Sequence, residues 1–502
     1  MPAIPDQLYR FLVPAIILLM GLLVGWLPLT QAIIFVGAII ALPVLLLNPI
    51  LNLYLLIPII PFSPLLGVSI GGLTIGLMEI VLLAGIGLTI LQKMVNPDDS
   101  QAQSTYVPKM MWSRDPFWGL FFILFVGIGL SWLTTLSIKA SLIETVKWVE
   151  MLLIYLFVGT QLQKKQINWL LIIILLTGLT QAMLGIYQFV FKVGPEGFLL
   201  FNGLFLRAYG TFGQPNPYAG YLGLVLPLAI SLSLWKFSDI RQTTDLTRLN
   251  SNSWQLLALM GIVGVLLLAL FATQSRSGWL AAIGAIGMVL VLSSQMARLL
   301  FSFGAGLIMM VTLAGSFSLT ITTPAMEEQS LYQTVLGRFV SAAEIFQIED
   351  VAAVELTNQN FATLERLAHW QTAWHMWRDN FWLGVGFGNY EVIYPVYAIG
   401  RWEDALGHAH NYLFNLGAET GFVGIACYLI FWILVFRVIW QIGVDNQGFE
   451  RAVVVGCAGI LVHLHLHNLF DNLYVQGMYL HVGIIIGIIS LMSKRNYRVV
   501  RE

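Results

Sequence analysis

The chain has 502 residues, of which 58% are hydrophobic and 10% are charged, and its mean hydropathy is +0.80. This composition excludes a soluble globular protein and requires lipid as the solvent. The 25 basic and 26 acidic side chains give a net charge of -1, so charge gives no reason to expect a nucleic-acid partner. We therefore expect an all-α, polytopic integral membrane protein.

Apolar runs of membrane-spanning length recur along the chain. A span needs roughly 17–25 such residues, and fourteen runs qualify. They lie near residues 11–29, 31–47, 50–66, 73–92, 117–136, 145–162, 168–191, 218–235, 255–273, 278–296, 299–320, 410–436, 452–470 and 475–493. Pro58, Pro61 and Pro64 interrupt the third run, which could form a re-entrant pair instead. The prediction is thus 12–14 transmembrane helices.

The placement of lysine and arginine predicts the orientation of these helices. Basic residues concentrate in alternate connections, and the tail from Lys494 to Arg501 falls on the same side. Cytoplasmic connections are richer in lysine and arginine, so both termini are predicted to be cytoplasmic. The predicted organisation is N-terminal transmembrane helices (1–179), a transmembrane core with arginine loops (180–320), a large outer, periplasmic loop (321–409), and C-terminal helices with a short cytoplasmic tail (410–502).

The outer loop contains an aromatic stripe. Trp370, Trp374, Trp377 and Phe381 recur at helical spacing. A helix of this kind suits the lipid headgroup region, but it could equally pack onto the helix bundle.

Two arginines lie beside predicted spans on the outer side. Arg207 opens a segment rich in glycine and proline that also offers Gln214 and Asn216, and we expect this segment to be non-helical and to line a cavity. Arg276 stands among small polar residues in a very short connection. Each arginine could simply reach water or pair with an internal carboxylate, or could hold phosphate oxygens with its forked guanidinium group.

Two histidines lie where the outer loop meets the next apolar run. His408 and His410 are followed directly by Asn411. An imidazole at such a junction can accept a proton beside a membrane-bound substrate, although a structural, hydrogen-bonded histidine is an equal alternative.

A second histidine group lies in the next-to-last apolar run. His463, His467 and Asp471 would share one helical face, where they could bind a metal ion, relay protons or pack between helices. We expect relay or packing, because nothing else in the sequence completes a metal site.

Four motifs, taken in order, resemble one family. They are RAYGTFGQPNPYAGY, TQSRSGW, RDNFWLGVGFGNY and HAHNYLFNLGAETGFVG, and the resemblance covers roughly residues 180–490. The family is the O-antigen ligase and polymerase superfamily, and the chain is most similar to its cyanobacterial branch, often labelled inorganic-carbon or bicarbonate transport proteins. The first 179 residues carry no matching motif.

The resemblance implies a glycosyltransferase of polysaccharide biosynthesis in the bacterial inner (plasma) membrane. It would move a glycan from an undecaprenyl-diphosphate carrier to a glycan, lipid or protein acceptor at the outer face, with no cofactor, metal ion or nucleotide sugar. By position, Arg207 and Arg276 match the arginines that hold the donor diphosphate, and His410 matches the general base. His408 would assist it, and Gln214, Asn216, Asn411 and Glu419 would contribute to substrate binding.

Transport is the competing function. The labels of the similar cyanobacterial proteins suggest inorganic carbon, and the arginines would then form a bicarbonate site. The sequence shows no internal repeat with paired broken helices, which is the usual sign of alternating access, so we favour the enzyme.

Overall fold

A computed structural model describes most of the chain. The described residues are 48–65, 67–70, 73–95, 117–200, 203–243, 251–293, 351, 354, 356 and 360–493. They fall into two compact units, the first with residues 48–56 and 79–95, the second with 57–78 and everything described from 117 onward. The predicted runs at 11–29, 31–47 and 299–320 lie outside the described residues.

Fourteen helices are present in the described part of the chain. They are α1 Pro49–Ile59, α2 Leu77–Val95, α3 Trp118–Ser131, α4 Ile138–Gln161, α5 Lys164–Phe191, α6 Pro215–Gly223, α7 Leu226–Thr243, α8 Ser251–Ala272, α9 Arg276–Ser293, α10 Phe361–Asp379, α11 Tyr390–Tyr397, α12 Tyr412–Asp445, α13 Gly448–Asn468 and α14 Met478–Ser493. Two short antiparallel hairpins accompany them, one of β1 Gly67–Ile70 and β2 Leu73–Gly76 and one of β3 Leu199–Leu200 and β4 Phe205–Leu206.

The all-α membrane prediction is confirmed. Six described stretches are long and apolar enough to cross a bilayer: Lys164–Phe191, Pro215–Gln242, Asn252–Ala272, Arg276–Ser293, Tyr412–Asp445 and Gly448–Asn468. Shorter apolar helical stretches are Pro49–Leu65, Leu77–Gln92, Trp118–Thr134 and Met478–Ser493. Helix α4 coincides with a predicted run but also carries Lys139, Glu144, Lys147 and Glu150.

The third predicted run is divided by its prolines. Helix α1 ends at Ile59 and a 3-10 helix continues over Ile60–Leu65. The β1–β2 hairpin follows. The run is therefore not one regular helix, because proline lacks the N–H group that the helical hydrogen-bond ladder needs.

The bundle that positions the site is built on close helix contacts at glycines. Helices α9 and α13 run antiparallel: a side chain on Gly459 would meet Val289 at 2.7 Å, while Gly284 faces Leu466 at the other end of the contact. Likewise, a side chain on Gly456 would meet the backbone of Leu228 in α7 at 2.9 Å. Small residues let helix backbones approach closely in a membrane, where dispersion forces must supply the attraction.

The segment after Arg207 is more regular than predicted. Residues 207–214 are irregular as expected, but helix α6 begins at Pro215 and continues to Gly223. The first N–H groups of a helix have no acceptor inside the helix, so Pro215 and Pro217 are tolerated in its first turn. The prediction that proline and glycine forbid a helix here was wrong from Pro215 onward.

Helix α12 is interrupted near its start. Gly421 has φ 63° and ψ -163°, and the backbone there opens to accept a neighbouring loop. The N–H of Phe422 donates to the carbonyl of Phe381 at 2.8 Å. A Cβ on Gly421 would lie 2.4 Å from the backbone of Trp382, so both the conformation and the contact require glycine.

The aromatic stripe on helix α10 and just after it is partly packed onto the bundle and partly exposed. Trp370 packs against Phe414 of α12, with ring centroids 5.9 Å apart, and Trp377 lies against Gly417. Trp374 is 48% exposed, and Phe381, which follows the helix, is 45% exposed. One side of the stripe thus packs onto the bundle, whereas the other remains available to lipid or water.

Candidate functional site

Arg207 is held by a hydrogen bond to the connection between α8 and α9. Its Nε donates to the carbonyl of Thr273 at 3.0 Å, and its Nη2 lies 3.4 Å from Oδ1 of Asn216. The backbone N–H of Ala208 donates to Ala272 at 2.9 Å. The irregular segment after β4 is therefore held against the α8–α9 connection.

The second predicted arginine belongs to the same connection. Ser275 donates its hydroxyl to Oδ1 of Asn216 at 2.9 Å and lies 3.1 Å from the hydroxyl of Ser277. Arg276 follows directly as the first residue of α9. We call Arg207, Asn216, Thr273, Ser275 and Arg276 the arginine cluster. Gln214 is exposed, and its side chain makes no capping bond to α6.

The predicted histidines meet a carboxylate from a distant part of the chain. Nε2 of His408 lies 3.6 Å from Oδ1 of Asp471, and Nδ1 of His410 lies 3.9 Å from the same oxygen. The two imidazole centroids are 4.6 Å apart. We call His408, His410 and Asp471 the histidine cluster. Asp471 lies in the loop between α13 and α14, so the prediction that it shares a helical face with His463 and His467 was wrong.

Local backbone structure directs the two imidazoles. His410 has φ 53°, a left-handed conformation that non-glycine residues rarely adopt and that often marks functional sites. Its N–H donates to Nδ1 of His408 at 3.1 Å. Nδ1 of neutral His408 is therefore an acceptor, and its proton resides on Nε2, the nitrogen that faces Asp471.

Asn411 and Glu419 hold backbone in place. Oδ1 of Asn411 accepts from the N–H groups of Leu413 and Phe414, which caps α12, and its Nδ2 donates to the carbonyl of Leu469 at 2.9 Å. Asn411 thereby connects α12 to the Asp471 loop. Glu419 lies further along α12 and accepts from the N–H of Tyr390 at 3.1 Å, at the start of α11.

Helix α10 covers the other side of His410. The indole of Trp370 donates to the backbone carbonyl of His410 at 3.2 Å. The ring of His369 lies 5.5 Å from that of His410, and Nδ1 of His369 is 3.0 Å from the hydroxyl of Tyr390. The segment that contains α10 therefore supplies direct neighbours of the predicted base.

The α13–α14 loop contacts both the histidine cluster and the irregular segment that follows Arg207. Asp471 in this loop belongs to the histidine cluster, and Gln476 in the same loop donates to the carbonyl of Phe212, five residues after Arg207, at 3.2 Å. Helix α9 begins, α12 begins and α13 ends near these residues. Because α9 and α13 run antiparallel, the two clusters occupy the same end of the bundle.

Burial sets the charges within the histidine cluster. It lowers the pKa of His408 to about 4, although Asp471 opposes this change. It also lowers the pKa of His369 to about 4, and repulsion from His410 contributes. Burial alone would raise the pKa of Asp471, but the adjacent imidazoles of His410 and His408 hold it well below its usual range. At neutral pH, Asp471 is thus a carboxylate beside a neutral His408.

Among the described residues, the histidine cluster is a group that could hold a metal ion. One ligand atom each from His408, His410 and Asp471 lies within 4.8 Å of the others. Zinc has such ligand sets, but a metal on Nε2 of His408 would move that ring's proton to Nδ1, opposite the N–H of His410. The hydrogen bond between the two residues therefore disfavours a metal ligand at His408.

Part of the chain is similar to a known protein family. A model of the family described as O-antigen ligase matches residues 261–429. Over this region the chain is similar to the O-antigen ligase superfamily. The matched O-antigen ligase region is about a third of the chain and includes Arg276, His408, His410, Asn411 and Glu419. The cyanobacterial branch suggested by the sequence is not distinguished by this match.

Other comparisons add little to the O-antigen ligase assignment. No curated protein matches the chain. One solved structure, from work on structural coordination of polymerization and crosslinking by a peptidoglycan synthase complex, is similar with a TM-score of 0.41 and 16% identity. The similarity covers 76% of this chain and 98% of that one.

Sequence reasoning missed several neighbours of the predicted site. Asp471 was considered only with His463 and His467, and His369 was not considered at all. Trp370 was noted for its aromatic ring but not for its indole N–H. These residues lie far from His410 in sequence, and the one local signal was the carboxylate that follows the histidine-rich end of α13.

Proposed function

We propose that the chain is a membrane glycosyltransferase that moves a glycan from an undecaprenyl-diphosphate carrier to an acceptor hydroxyl. The observation that supports this most strongly is that the α13–α14 loop carries Asp471 of the histidine cluster and also bonds to Phe212, in the segment that joins Arg207 to Asn216. The first offers cationic donors for a diphosphate, and the second offers a base. Such a pair of sites suits displacement of a lipid diphosphate by a hydroxyl group.

The arginine cluster would bind the donor. Arg207 and Arg276 would hold the diphosphate oxygens, with Asn216 and Ser275 fixing Arg207 and its surroundings. As the bond from the anomeric carbon to the diphosphate breaks, its electron pair passes to the leaving oxygen. The guanidinium groups would stabilise the charge that develops there.

His410 would act as the general base. Asp471 lies on the Nδ1 side of its ring, which favours the tautomer with the proton on Nδ1 and a lone pair on Nε2. The acceptor hydroxyl would give its proton to Nε2 as its oxygen attacks the anomeric carbon. One displacement of this kind inverts the configuration at that carbon. His408 would help to hold Asp471, and the roles of Gln214, Asn411 and Glu419 would be limited to shaping the pocket.

The reaction would take place at the periplasmic face of a bacterial inner membrane. The distribution of basic residues supports this orientation, with both termini in the cytoplasm. A topology reporter fused after Gln359 is expected to give a periplasmic signal. A cytoplasmic signal there would reverse the orientation and move the proposed site to the wrong side of the membrane.

Deleting the gene distinguishes glycan transfer from bicarbonate transport. Surface polysaccharide and bicarbonate uptake would be measured in the same cells, with the wild-type gene and the His410→Gln variant returned separately. We expect deletion to remove or shorten a surface polysaccharide while uptake stays unchanged, and only the wild-type gene to restore it. Loss of uptake with an intact polysaccharide profile would refute the proposal.

A further inference from the structure

A cleft lies at the end of the bundle opposite the histidine cluster. It has a volume of about 250 Å³ and is formed by α9, α12 and α13. Nine residues line it: Val291, Leu292, Ile439, Trp440, Gly443, Val444, Arg451, Val454 and Val455. The proposed transfer reaction makes no use of it.

The lining of the cleft has two chemically distinct parts. Apolar side chains form most of the wall, including the buried Ile439 and Val455. The cleft is smaller than a typical ligand pocket of roughly 300–1,000 Å³, so it would hold part of one flexible chain and not a folded partner segment. An apolar wall between membrane-spanning helices is suited to hydrocarbon.

Arg451 provides the polar part. It is exposed, and its Nη2 donates to the backbone carbonyl of Leu292 at 3.1 Å, across the contact between α13 and α9. This bond anchors the guanidinium beside the cleft but uses one of its five N–H groups. The neighbouring Glu450 is engaged by Lys164, with the two charged atoms 3.0 Å apart. A planar, anchored guanidinium is well suited to phosphate oxygens.

Trp440 indicates the depth of the cleft in the bilayer. Its side chain lines the cleft and is 62% exposed. Tryptophan is enriched where the hydrocarbon meets the headgroups, because its ring is apolar and its N–H is polar. Arg451 and Trp440 therefore lie where a phospholipid headgroup would meet its acyl chain.

We propose that this cleft binds an anionic phospholipid, with one acyl chain between α9 and α12 and the phosphate on Arg451. Basic pockets between transmembrane helices commonly recognise such headgroups. The site is independent of the proposed transfer reaction, because it lies at the other end of the bundle and involves none of the residues assigned to that reaction.

The structure offers two variants that test the two parts of the cleft separately. Arg451→Ala removes the headgroup contact but leaves the apolar wall. Gly443→Leu fills the wall but leaves Arg451: the nearest atom to an added Cβ is Cγ1 of Val454 at 3.8 Å, an ordinary contact that folding should tolerate. Arg437→Ala is the matched control, since Arg437 is an exposed arginine on α12 that does not line the cleft.

The test is native mass spectrometry of the full-length protein in mild detergent, titrated with phosphatidylglycerol or with phosphatidylcholine of the same acyl chains. Size-exclusion profiles verify that each variant is folded. We expect wild type and Arg437→Ala to bind phosphatidylglycerol alike and in preference to phosphatidylcholine. Arg451→Ala should weaken phosphatidylglycerol binding about fivefold and remove the preference, and Gly443→Leu should abolish binding of both lipids.

Several results would overturn the proposal. Equal binding of the two lipids by wild type would exclude recognition of the anionic headgroup. An unchanged affinity in Arg451→Ala, or an equal loss in Arg437→Ala, would show that lipid binds through general surface charge. Full binding by Gly443→Leu would place the acyl chain elsewhere.

Discussion

The arginine cluster and the histidine cluster differ in how their polar groups are satisfied. In the arginine cluster, Arg207, Asn216 and Ser275 bond to one another or to nearby backbone. In the histidine cluster, both ring nitrogens of His410 are buried and lack a hydrogen bond of ordinary length to any described residue, although Oδ1 of Asp471 lies 3.9 Å from Nδ1. Both ring nitrogens of His467, four residues before Asp471, are likewise buried and lack such a bond.

This difference bears directly on function. A buried polar atom without a partner costs roughly 1–3 kcal/mol, so such atoms persist where a ligand or a proton completes them. The arginine cluster is a preformed set of donors, whereas the histidine cluster is poised to change its protonation or to receive a hydroxyl. This is the difference that we expect between the proposed diphosphate clamp and the proposed base.

Removing the proposed base, His410, should have the largest effect. His410→Gln keeps a polar side chain of similar reach but cannot accept and release a proton near neutral pH. We expect the transfer rate to fall roughly a thousandfold, measured with the purified protein and a lipid-diphosphate donor. His375→Gln, on the neighbouring helix α10, is the control and should stay near wild type. A modest loss in His410→Gln would mean that His410 is only structural.

Of the two clusters, the histidine side should contribute the stronger dependence of stability on pH. His369 has its pKa lowered to about 4 by burial, against about 6.5 in the unfolded chain. Between these two pH values the unfolded state binds more protons than the folded state. The contribution of His369 to the free energy of unfolding therefore has its full value above about pH 6.5 and declines toward pH 4. The loss from this one group is roughly 3 kcal/mol. Thermal unfolding should be less pH-dependent in His369→Gln.

His408 should contribute in the same direction, because its pKa is also lowered to about 4. Asp471 adds to the loss only at lower pH, since the pKa of an unfolded aspartate is about 3.9. An Arg207→Lys variant is the control, and its pH dependence should match wild type. A His369→Gln variant with an unchanged slope would contradict the assignment of this pH range to His369.

Exchanging Arg207, a residue of the proposed clamp, should have a smaller effect. Arg207→Lys retains the charge but cannot reach both Thr273 and Asn216 while binding a diphosphate. We expect transfer to slow at least roughly tenfold, from the loss of a charge-assisted hydrogen bond, with the donor KM rising. Arg241→Lys, at the exposed end of α7, should change nothing. If Arg207→Lys and Arg241→Lys show equal transfer rates, Arg207 has only a structural role.

The smallest effect should come from the support of His410. Trp370→Phe removes the N–H that donates to the His410 carbonyl but keeps a ring against Phe414 and Phe470. One neutral hydrogen bond is worth about 1 kcal/mol, so we expect a loss of about fivefold in kcat. Trp374→Phe, on the exposed side of the same helix, is the control. The comparison between these two variants shows whether α10 positions the base.

The sequence predicted the spans well where hydropathy alone decides the structure. The runs at 168–191, 255–273 and 452–470 correspond to α5, α8 and α13 within a few residues. The predictions of helix boundaries failed where a local sequence rule had an exception. Proline was taken to forbid a helix at Pro215, but a first turn accepts it. Helix α13 was extended to Asp471, whereas it ends at Asn468, whose side chain accepts from the N–H of Leu473 at 2.8 Å.

The candidate site was only partly visible in the sequence. His408 and His410 are close along the chain, so their proximity is local and predictable. The contact with Asp471 and the two bonds from Arg207 depend on how α8, α9, α12 and α13 pack, and no periodicity reports such distances. For Glu419, the motif gave no indication of its bond to the start of α11.

The central claim is that one site combines a diphosphate clamp with an imidazole base. The most direct test is to reconstitute the purified protein with an undecaprenyl-diphosphate-linked glycan and an acceptor glycan, in the presence of a metal chelator, and to determine the product's anomeric configuration. The account predicts transfer with inversion. A product with retained configuration, or transfer that stops when the chelator is added, would contradict it.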